Sequence, residues 1–303
     1  MTLVPSDCHI FAFSADAPPA ATVPDGAVVE LETADCFAGQ AKGAGGALTE
    51  VDWERINPAT GPVYVEGARP GDVLAVTVER IEVTGDGVMA VSPAFGVLAD
   101  RIAATAFTAV PIVDGRALLP GGVAWPVRPM VGVLGVTPAG EPVPTGTPGP
   151  HGGNLDTRLV GEGATLLLPV FVPGALLAAG DLHALMGDGE VCGTGLEVAG
   201  RVRLRLAVRR DLRLEGPVVA TADAVAAVAS AATLDEAATL ATRQMADLLA
   251  ALAGLDHAAA TMLMSAVGEL AVCQVVDPLK TARFGMPREA LAALEVGPDL
   301  RRC

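Results

Sequence analysis

The chain has 303 residues, of which 20 are Lys or Arg and 35 are Asp or Glu, so its formal net charge is −15. This negative charge argues against nucleic acid or an anionic membrane surface as a partner. A chain of this length can bury a large core, in one domain or in two closely packed ones.

The number and spacing of the cysteines and the lack of long apolar runs indicate the cellular compartment of the protein. The five cysteines are odd in number, widely spread and form no CxxC pair, which predicts reduced thiols in a cytoplasmic protein. The amino-terminal stretch has no basic region followed by an apolar core, and no apolar run reaches 18 residues. We therefore expect neither a signal peptide nor a membrane span.

Residues 1–220 are predicted to form a β-rich, sandwich-like body. Short Val- and Leu-rich runs are separated by Pro, Gly and Asp, as in antiparallel sheets. In 201–210 apolar residues alternate with Arg, which predicts a strand with a solvated Arg face. The predicted strands lie in 26–35, 72–83, 130–138, 165–172, 175–182 and 201–210.

Residues 221–303 are predicted to form a helix-rich α/β portion packed on that body, within the same domain or as a second one. Thr233 followed by Glu236 is a capping box, and apolar residues at helical spacing then run to Gly254. Asp256 is predicted to cap a second helix, and Pro287 to start a third after a strand. The predicted class is therefore α+β and predominantly β.

Polar residues concentrate in 151–190, around the predicted buried strand 165–172. This segment holds two of the four histidines and five acidic residues. We expect its polar side chains in glycine-rich turns at the ends of strands, where a rigid sheet can hold them for chemistry. They are His151, Asn154 and Asp156 before the strand, and Asp181, His183, Asp188 and Glu190 after it.

The same segment resembles the acetamidase/formamidase family through HGGNLD and LPVFVPGALLAAGDLHALMGDGEVCGTGLEVAG. Three further stretches resemble that family in the same order: ELETADCFAGQ (30–40), NPATGPVYVEGARPGDVLAVTVERIEV (57–83) and LMSAVGELAVCQVVDP (263–278). The resemblance implies a hydrolase of short linear amides of the formamide or acetamide type, releasing ammonia and a carboxylate. It also implies a homodimer or homotetramer.

Two known solutions to amide hydrolysis lack their motifs here. A Ser–Ser–Lys amidase needs a Gly/Ser-rich signature, but the nearest stretch, 43–48, contains no serine. A Cys–Glu–Lys triad needs an essential lysine, and the only two, Lys42 and Lys280, lack the surrounding motif. Water activated by a divalent metal, zinc by preference, remains.

Asp35, Asp156 and His183 are the predicted metal ligands, with His9 as a further candidate. Carboxylate and imidazole are ligand types that zinc accepts, and strands can gather these distant residues at one end of a β body. Each has an alternative: Asp35 as a turn residue, Asp156 as a cap of its own loop, and His183 as a core histidine with satisfied hydrogen bonds.

Glu190 is the predicted general base, because the turn GDGE can aim its carboxylate into the site. Gly153 and Asn154 are predicted to supply backbone N–H groups to the oxyanion, and His151 and Gly152 to contact the substrate.

Several roles stay open. Cys192 is either a nucleophile or a small buried thiol. Glu197 is either a partner that orients a ligand or a carboxylate paired with an Arg of the next strand. Strand alternation would put it opposite Glu190, although Gly193 and Gly195 allow a bulge. The rival functions are a metal- or ligand-binding protein without turnover, and a hydrolase of another amide or of a cyclic imide.

Overall fold

The computed structural model describes residues 1–41 and 51–296, so Lys42, the glycine-rich stretch 43–48 and Cys303 lie outside the described residues. Strands dominate, and the three described α-helices all follow residue 233. This confirms the predicted α+β class with a predominantly β body.

Twenty strands run through the described residues: β1 (Thr2–Val4), β2 (His9–Ile10), β3 (Ala12–Phe13), β4 (Ala21–Val23), β5 (Val28–Thr33), β6 (Ala59–Val65), β7 (Val73–Val91), β8 (Ala106–Val110), β9 (Ile112–Val113), β10 (Arg116–Leu119), β11 (Val123–Pro126), β12 (Met130–Gly135), β13 (Val143–Pro144), β14 (Thr165–Pro169), β15 (Leu177–Leu185), β16 (Leu196–Arg209), β17 (Val218–Ala220), β18 (Ala224–Ala231), β19 (Glu269–Gln274) and β20 (Lys280–Pro287). The helices are α1 (Leu234–Ala253), α2 (His257–Val267) and α3 (Arg288–Ala293), with 3-10 turns at Trp53–Arg55, Ala99–Arg101 and Pro120–Gly122.

The long strand β16 organises one branched, mainly antiparallel sheet of fifteen strands among the described residues. On one side β16 pairs with β7; on the other it pairs first with β15 and then with β5. Strand β15 pairs in addition with β12 and β6. Strands β15 and β16 therefore lie side by side in the sheet interior.

The predicted Arg face of β16 is present. Val202 and Leu204 point into the main core. The alternating arginines contact glutamate side chains of the neighbouring strands. Arg201 pairs with Glu32 at 2.5 Å, Arg203 with Glu30 at 2.8 Å and Arg205 with Glu79 at 2.6 Å. Because these pairs are partly exposed, they contribute little stability and chiefly keep this face in water.

The carboxy-terminal helices cover one side of the sheet. The capping box between Thr233 and Glu236 is formed, Gly254 ends α1 in the left-handed region at φ 66°, and Asp256 caps α2, all as predicted. Met245 of α1 lies in a second core with Leu167 of β14. The sheet continues across residue 220 from β17 to β18, so the division there stays a prediction.

Within 1–41 and 51–296, no single helix is long and apolar enough to span a membrane. Only α1 and α2 taken together reach that length and composition, and they are bent by 116° at their junction.

Candidate active site

Strand β15 carries Asp181 and His183 into the interior of the sheet. Asp181 falls within the predicted strand 175–182, but the expectation that Asp181 and His183 lie in a glycine-rich turn is wrong, because both are inside the strand and buried. Gly180 serves close packing: a Cβ there would lie 2.2 Å from the carbonyl oxygen of Pro58. The glycine therefore lets neighbouring backbone approach β15 instead of reversing the chain.

His183 lies among four carboxylates. Its Nε2 is 3.1 Å from Glu197 Oε1, 3.5 Å from Asp181 Oδ2 and 3.9 Å from Glu190 Oε1, and its Nδ1 is 3.9 Å from Asp156 Oδ1. None of these contacts has hydrogen-bond geometry, so both ring nitrogens are buried without a hydrogen bond. Such an unsatisfied pair of polar atoms is costly and calls for a ligand.

Three of the four carboxylates stand on strained backbone. Asp156 has φ 41°, Asp181 φ 55° and Glu190 φ 48°, all in the left-handed region that side chains other than Gly rarely adopt. Asp181 lies within β15, whereas Asp156 and Glu190 lie in turns, as predicted. Strain of this kind concentrates at functional sites, where the surrounding structure holds it in place.

An ion-pair network fixes the turn that ends at Glu190. Asp188 Oδ2 accepts from Arg158 at 2.6 Å and from Arg283 at 2.8 Å. Partial burial alone would raise the pKa of Asp188, but the two arginines outweigh it and lower that pKa to about 2. The N–H of Gly189 also donates to Cys273 O at 2.8 Å. Asp188 therefore anchors the turn and leaves Glu190 to face the site.

Burial and mutual repulsion shift the titration of the whole cluster. Burial, followed by neighbouring carboxylates, raises the pKa values of Asp156, Glu190 and Asp277 well above their ordinary values. Burial also raises the pKa of Glu197, to about 7, against the lowering effect of His183. For His183 burial lowers the pKa, but nearby carboxylates, Glu197 first, outweigh it and raise it well above 6.5. A divalent cation bound at these carboxylates would offset their mutual repulsion.

The donor atoms fall into two sets, each with all its atoms within 4.8 Å of one another. One set combines two carboxylates with an imidazole, and the other combines two carboxylates with a thiol, which is the chemistry of zinc-binding donors. The residues therefore fit a divalent metal. The sets are Asp156, His183 and Glu190, and Cys36, Asp181 and Glu197.

A cavity of about 590 Å³ opens onto this cluster. Asn154, Glu190, Glu197 and Asp277 line its polar end, whereas Asp156 and His183 lie behind that lining. Asn154 Nδ2 donates to Asp277 Oδ2 at 3.0 Å, and Asn154 Oδ1 is buried without a hydrogen-bond partner. The cavity lining thus combines carboxylates with an amide side chain, as a site for a small polar group requires.

The predicted oxyanion loop lies beside the site, but its glycine amides are already engaged. Gly152 N donates to Gly149 O at 3.0 Å, and Gly153 N donates to Leu134 O at 3.2 Å. Their roles at the oxyanion and substrate stay predictions without support from this geometry.

His151 is buried edge-on to Phe13, and burial lowers its pKa to about 4. Its ring does not line the cavity. Contact between His151 and the substrate therefore also stays a prediction.

The structure gives the remaining candidates other contacts. Asp35 Oδ1 accepts from the N–H groups of Phe37 and Gly39, so this carboxylate shapes the turn that directs the adjacent Cys36 to the cavity. Asp35 is outside both donor sets found among the described residues, and its role as a ligand stays a prediction. His9 Nδ1 lies 2.7 Å from Ser6 O, and Cys192 Sγ donates to Thr194 O at 3.2 Å.

Cys36 and Asp277 of the cluster were not among the candidate residues, whereas Asp181 was placed in the polar segment without a role and Glu197 was left open between two roles. Asp181 stands in the polar segment 151–190, and Cys36 and Asp277 stand inside the stretches ELETADCFAGQ and AVCQVVDP. The polar segment and the two stretches that resemble the family were the sequence signals that could have identified these residues. Glu197 faces the same cavity as Glu190, because the intervening residues turn instead of continuing a strand, and its partner is His183, not an arginine.

Replacing Gly132 by Ala should disrupt this arrangement. A Cβ at Gly132 would lie 2.5 Å from both Asp156 Oδ1 and Asp181 Oδ2, so one carboxylate must move. A displacement of about 1 Å can lower the rate by up to about 10²-fold. We therefore expect kcat to fall by about 10- to 100-fold. Gly285→Ala, whose Cβ would meet only ordinary contacts, is the matched control. Equal kcat values for the two variants would contradict the proposed role of this spacing.

Comparison with known proteins identifies relatives along most of the chain. The profile of the Acetamidase/Formamidase family matches residues 10–145 and 139–277. A crystal structure described as a predicted acetamidase/formamidase from Thermoanaerobacter tengcongensis is 47% identical, with a TM-score of 0.95 over 98% of both chains. An acetamidase from Bacillus halodurans is 43% identical, with a TM-score of 0.94 over 96% of this chain and 99% of the other. The acetamidase of Mycolicibacterium smegmatis is 28% identical over 63% of each chain, so this match covers less than two thirds of that relative.

Proposed function

Because the chain belongs to the acetamidase/formamidase family and is an amidohydrolase, we propose that it hydrolyses primary amides to a carboxylate and ammonia with the help of a divalent cation, zinc by preference. One observation carries the metal: both ring nitrogens of His183 are buried without a hydrogen bond, among carboxylates that repel one another. A bound cation would satisfy one of these nitrogens and would offset the repulsion, and the other nitrogen would remain beside a carboxylate.

Asp156 and His183 would hold the cation, and the thiol of Cys36 with the carboxylates of Asp181 and Glu197 forms a second donor set beside them. A divalent ion at such donors lowers the pKa of water towards neutrality and polarises a carbonyl group. A thiol and an imidazole among the donors favour zinc over magnesium or calcium.

Glu190 would handle the protons of the reaction. It lines the cavity, whereas Asp156 and His183 lie behind it. Its carboxylate accepts a proton from the attacking water as the new C–O bond forms. It then returns that proton to the amide nitrogen as the C–N bond breaks, so that ammonia leaves.

Asn154 would orient the substrate. Its Oδ1 lacks a protein partner and can accept a hydrogen bond from the amide N–H of the substrate. Asn154 Nδ2 donates a hydrogen bond to Asp277. The side chain therefore cannot turn its NH₂ group towards the cavity without losing that hydrogen bond. Because Asn154 then requires a hydrogen-bond donor on the substrate, the site favours an amide over the corresponding carboxylate.

Ammonia release from a panel of primary amides, before and after treatment with a chelator, tests this proposal. We expect release that stops on chelation and returns when zinc is added. Metal binding without release from any amide would favour the rival binding protein. Ring opening of a cyclic imide, followed as loss of the imide because it yields an amide-acid and no ammonia, without turnover of any linear amide would favour the other rival.

We also propose a cytoplasmic homodimer or homotetramer. The four described cysteines, Cys8, Cys36, Cys192 and Cys273, are free thiols, which supports a reducing compartment. Sedimentation at working concentration measures the oligomeric state directly, and a monomer would contradict this part of the proposal.

A further inference from the structure

Aromatic side chains are rare in this chain but concentrate around the cavity. The whole sequence holds seven Phe, two Trp and one Tyr. Four of these line the cavity, from segments far apart in the chain: Phe11, Phe37, Trp53 and Phe95. We call these four side chains the aromatic wall. Chance placement of so few rings would not gather them at one site.

The aromatic wall is built to stay in place. The rings of Trp53 and Phe95 meet at 5.6 Å between centroids, and Phe37 is buried against Phe107 at 5.2 Å. A Cβ at Gly193 would lie 2.5 Å from the Phe95 ring, so this glycine lets the ring pack against the turn that follows Glu190. Trp53 nevertheless keeps 48% of its surface exposed, which leaves ring surface free for a ligand.

The cavity is larger than a formamide- or acetamide-sized substrate needs. At about 30 Å³ for each water-sized group, acetamide would take up on the order of 100 Å³, against the 590 Å³ present. Cavities of that size commonly hold whole drug-sized molecules. With the reacting amide at the acidic end, the remaining space lies along the aromatic wall.

We propose that the preferred substrate is a neutral primary amide whose acyl group carries an apolar substituent of about the size of a phenyl ring. The proposal rests on the amide hydrolysis proposed above. Water adds its oxygen to the carbonyl carbon, the C–N bond breaks, and an aryl-substituted carboxylate and ammonia leave. An anionic substituent is excluded because Glu54, Glu190 and Asp277 line the same cavity and repel anions.

Competition between phenylacetamide and acetamide tests the substrate class. We expect kcat/KM for phenylacetamide to exceed that for acetamide. We expect Trp53→Ala to lower the ratio of the two about fivefold, because an aromatic contact contributes about 1 kcal/mol. Trp125→Ala is the matched control: its ring is 52% exposed and is not part of the cavity lining. Preference for acetamide would overturn the substrate class and leave the proposed hydrolysis intact. An unchanged ratio in Trp53→Ala would overturn the role of the aromatic wall.

Binding can be measured without turnover. The chain has two tryptophans, so Trp125→Phe leaves Trp53 as the only one. We expect phenylacetone, which has the ring and carbonyl but no C–N bond, to change the Trp53 fluorescence, and acetone to leave it unchanged at the same concentration. If no amide were hydrolysed but phenylacetone bound, the proposed hydrolysis would fail and the ligand class would stand. Absence of any response to phenylacetone would overturn the ligand class.

Discussion

Replacement of Glu190 by Gln is expected to lower kcat by about 10² to 10⁴, the usual effect of removing a general base. Gln keeps the shape of the side chain and an oxygen that accepts hydrogen bonds, but it cannot take a proton from water. The fold and the metal content should stay near those of the wild-type protein. Steady-state rates with the best amide, elemental analysis and circular dichroism measure the three quantities.

Two results would contradict this assignment. Loss of metal in Glu190→Gln would make Glu190 a ligand, since it lies in one donor set with Asp156 and His183. Cys192→Ser is the comparison variant and should keep appreciable activity, because Cys192 Sγ donates to Thr194 O. A dead but folded Cys192→Ser together with an active Glu190→Gln would mean that the reaction is covalent.

Replacement of His183 by Ala is expected to remove most of the bound metal and, with it, the activity. Changes to residues that only support a ligand already weaken metal binding by about 10- to 100-fold, so loss of a ligand should weaken it by at least about 10²-fold. Elemental analysis after dialysis measures occupancy, and added zinc at increasing concentration measures the affinity.

His257→Ala is the matched control, since His257 is an exposed histidine at the start of α2. Because Ala leaves a gap at a buried position, His183→Asn should be measured beside it, with thermal unfolding for each variant. A folded His183 variant with full metal occupancy would show that this imidazole is not a ligand.

Local sequence rules predicted the regular elements well. The capping box at Thr233, the glycine that ends α1 and the alternation of Arg with apolar residues in β16 each depend on neighbours along the chain. His183 was placed wrongly, in a turn, and Asp181 was assigned both to that turn and to the predicted strand 175–182. Gly180 reads like turn chemistry in the sequence, but its purpose is the close approach of Pro58, 122 positions earlier in the numbering, which no local pattern contains.

Only part of the site was predictable, because local sequence patterns do not contain the contacts between distant segments. Asp156, His183 and Glu190 belong to one polar segment, and the structure brings them together. Cys36 and Asp277 come from opposite ends of the chain and reach the cluster only through the pairing of distant strands and turns. Clustering along the sequence can find the first group but cannot find the second without the fold.

The left-handed backbone at Asp156, Asp181 and Glu190 has a consequence for how this protein can be improved. Each such residue costs on the order of 1–2 kcal/mol, and each also adds a buried carboxyl group to a crowded acidic cluster. Glycine at these positions would relieve both burdens. A selection for heat resistance alone would therefore favour variants that lose the acidic side chains, so directed evolution of this fold needs a simultaneous selection for turnover.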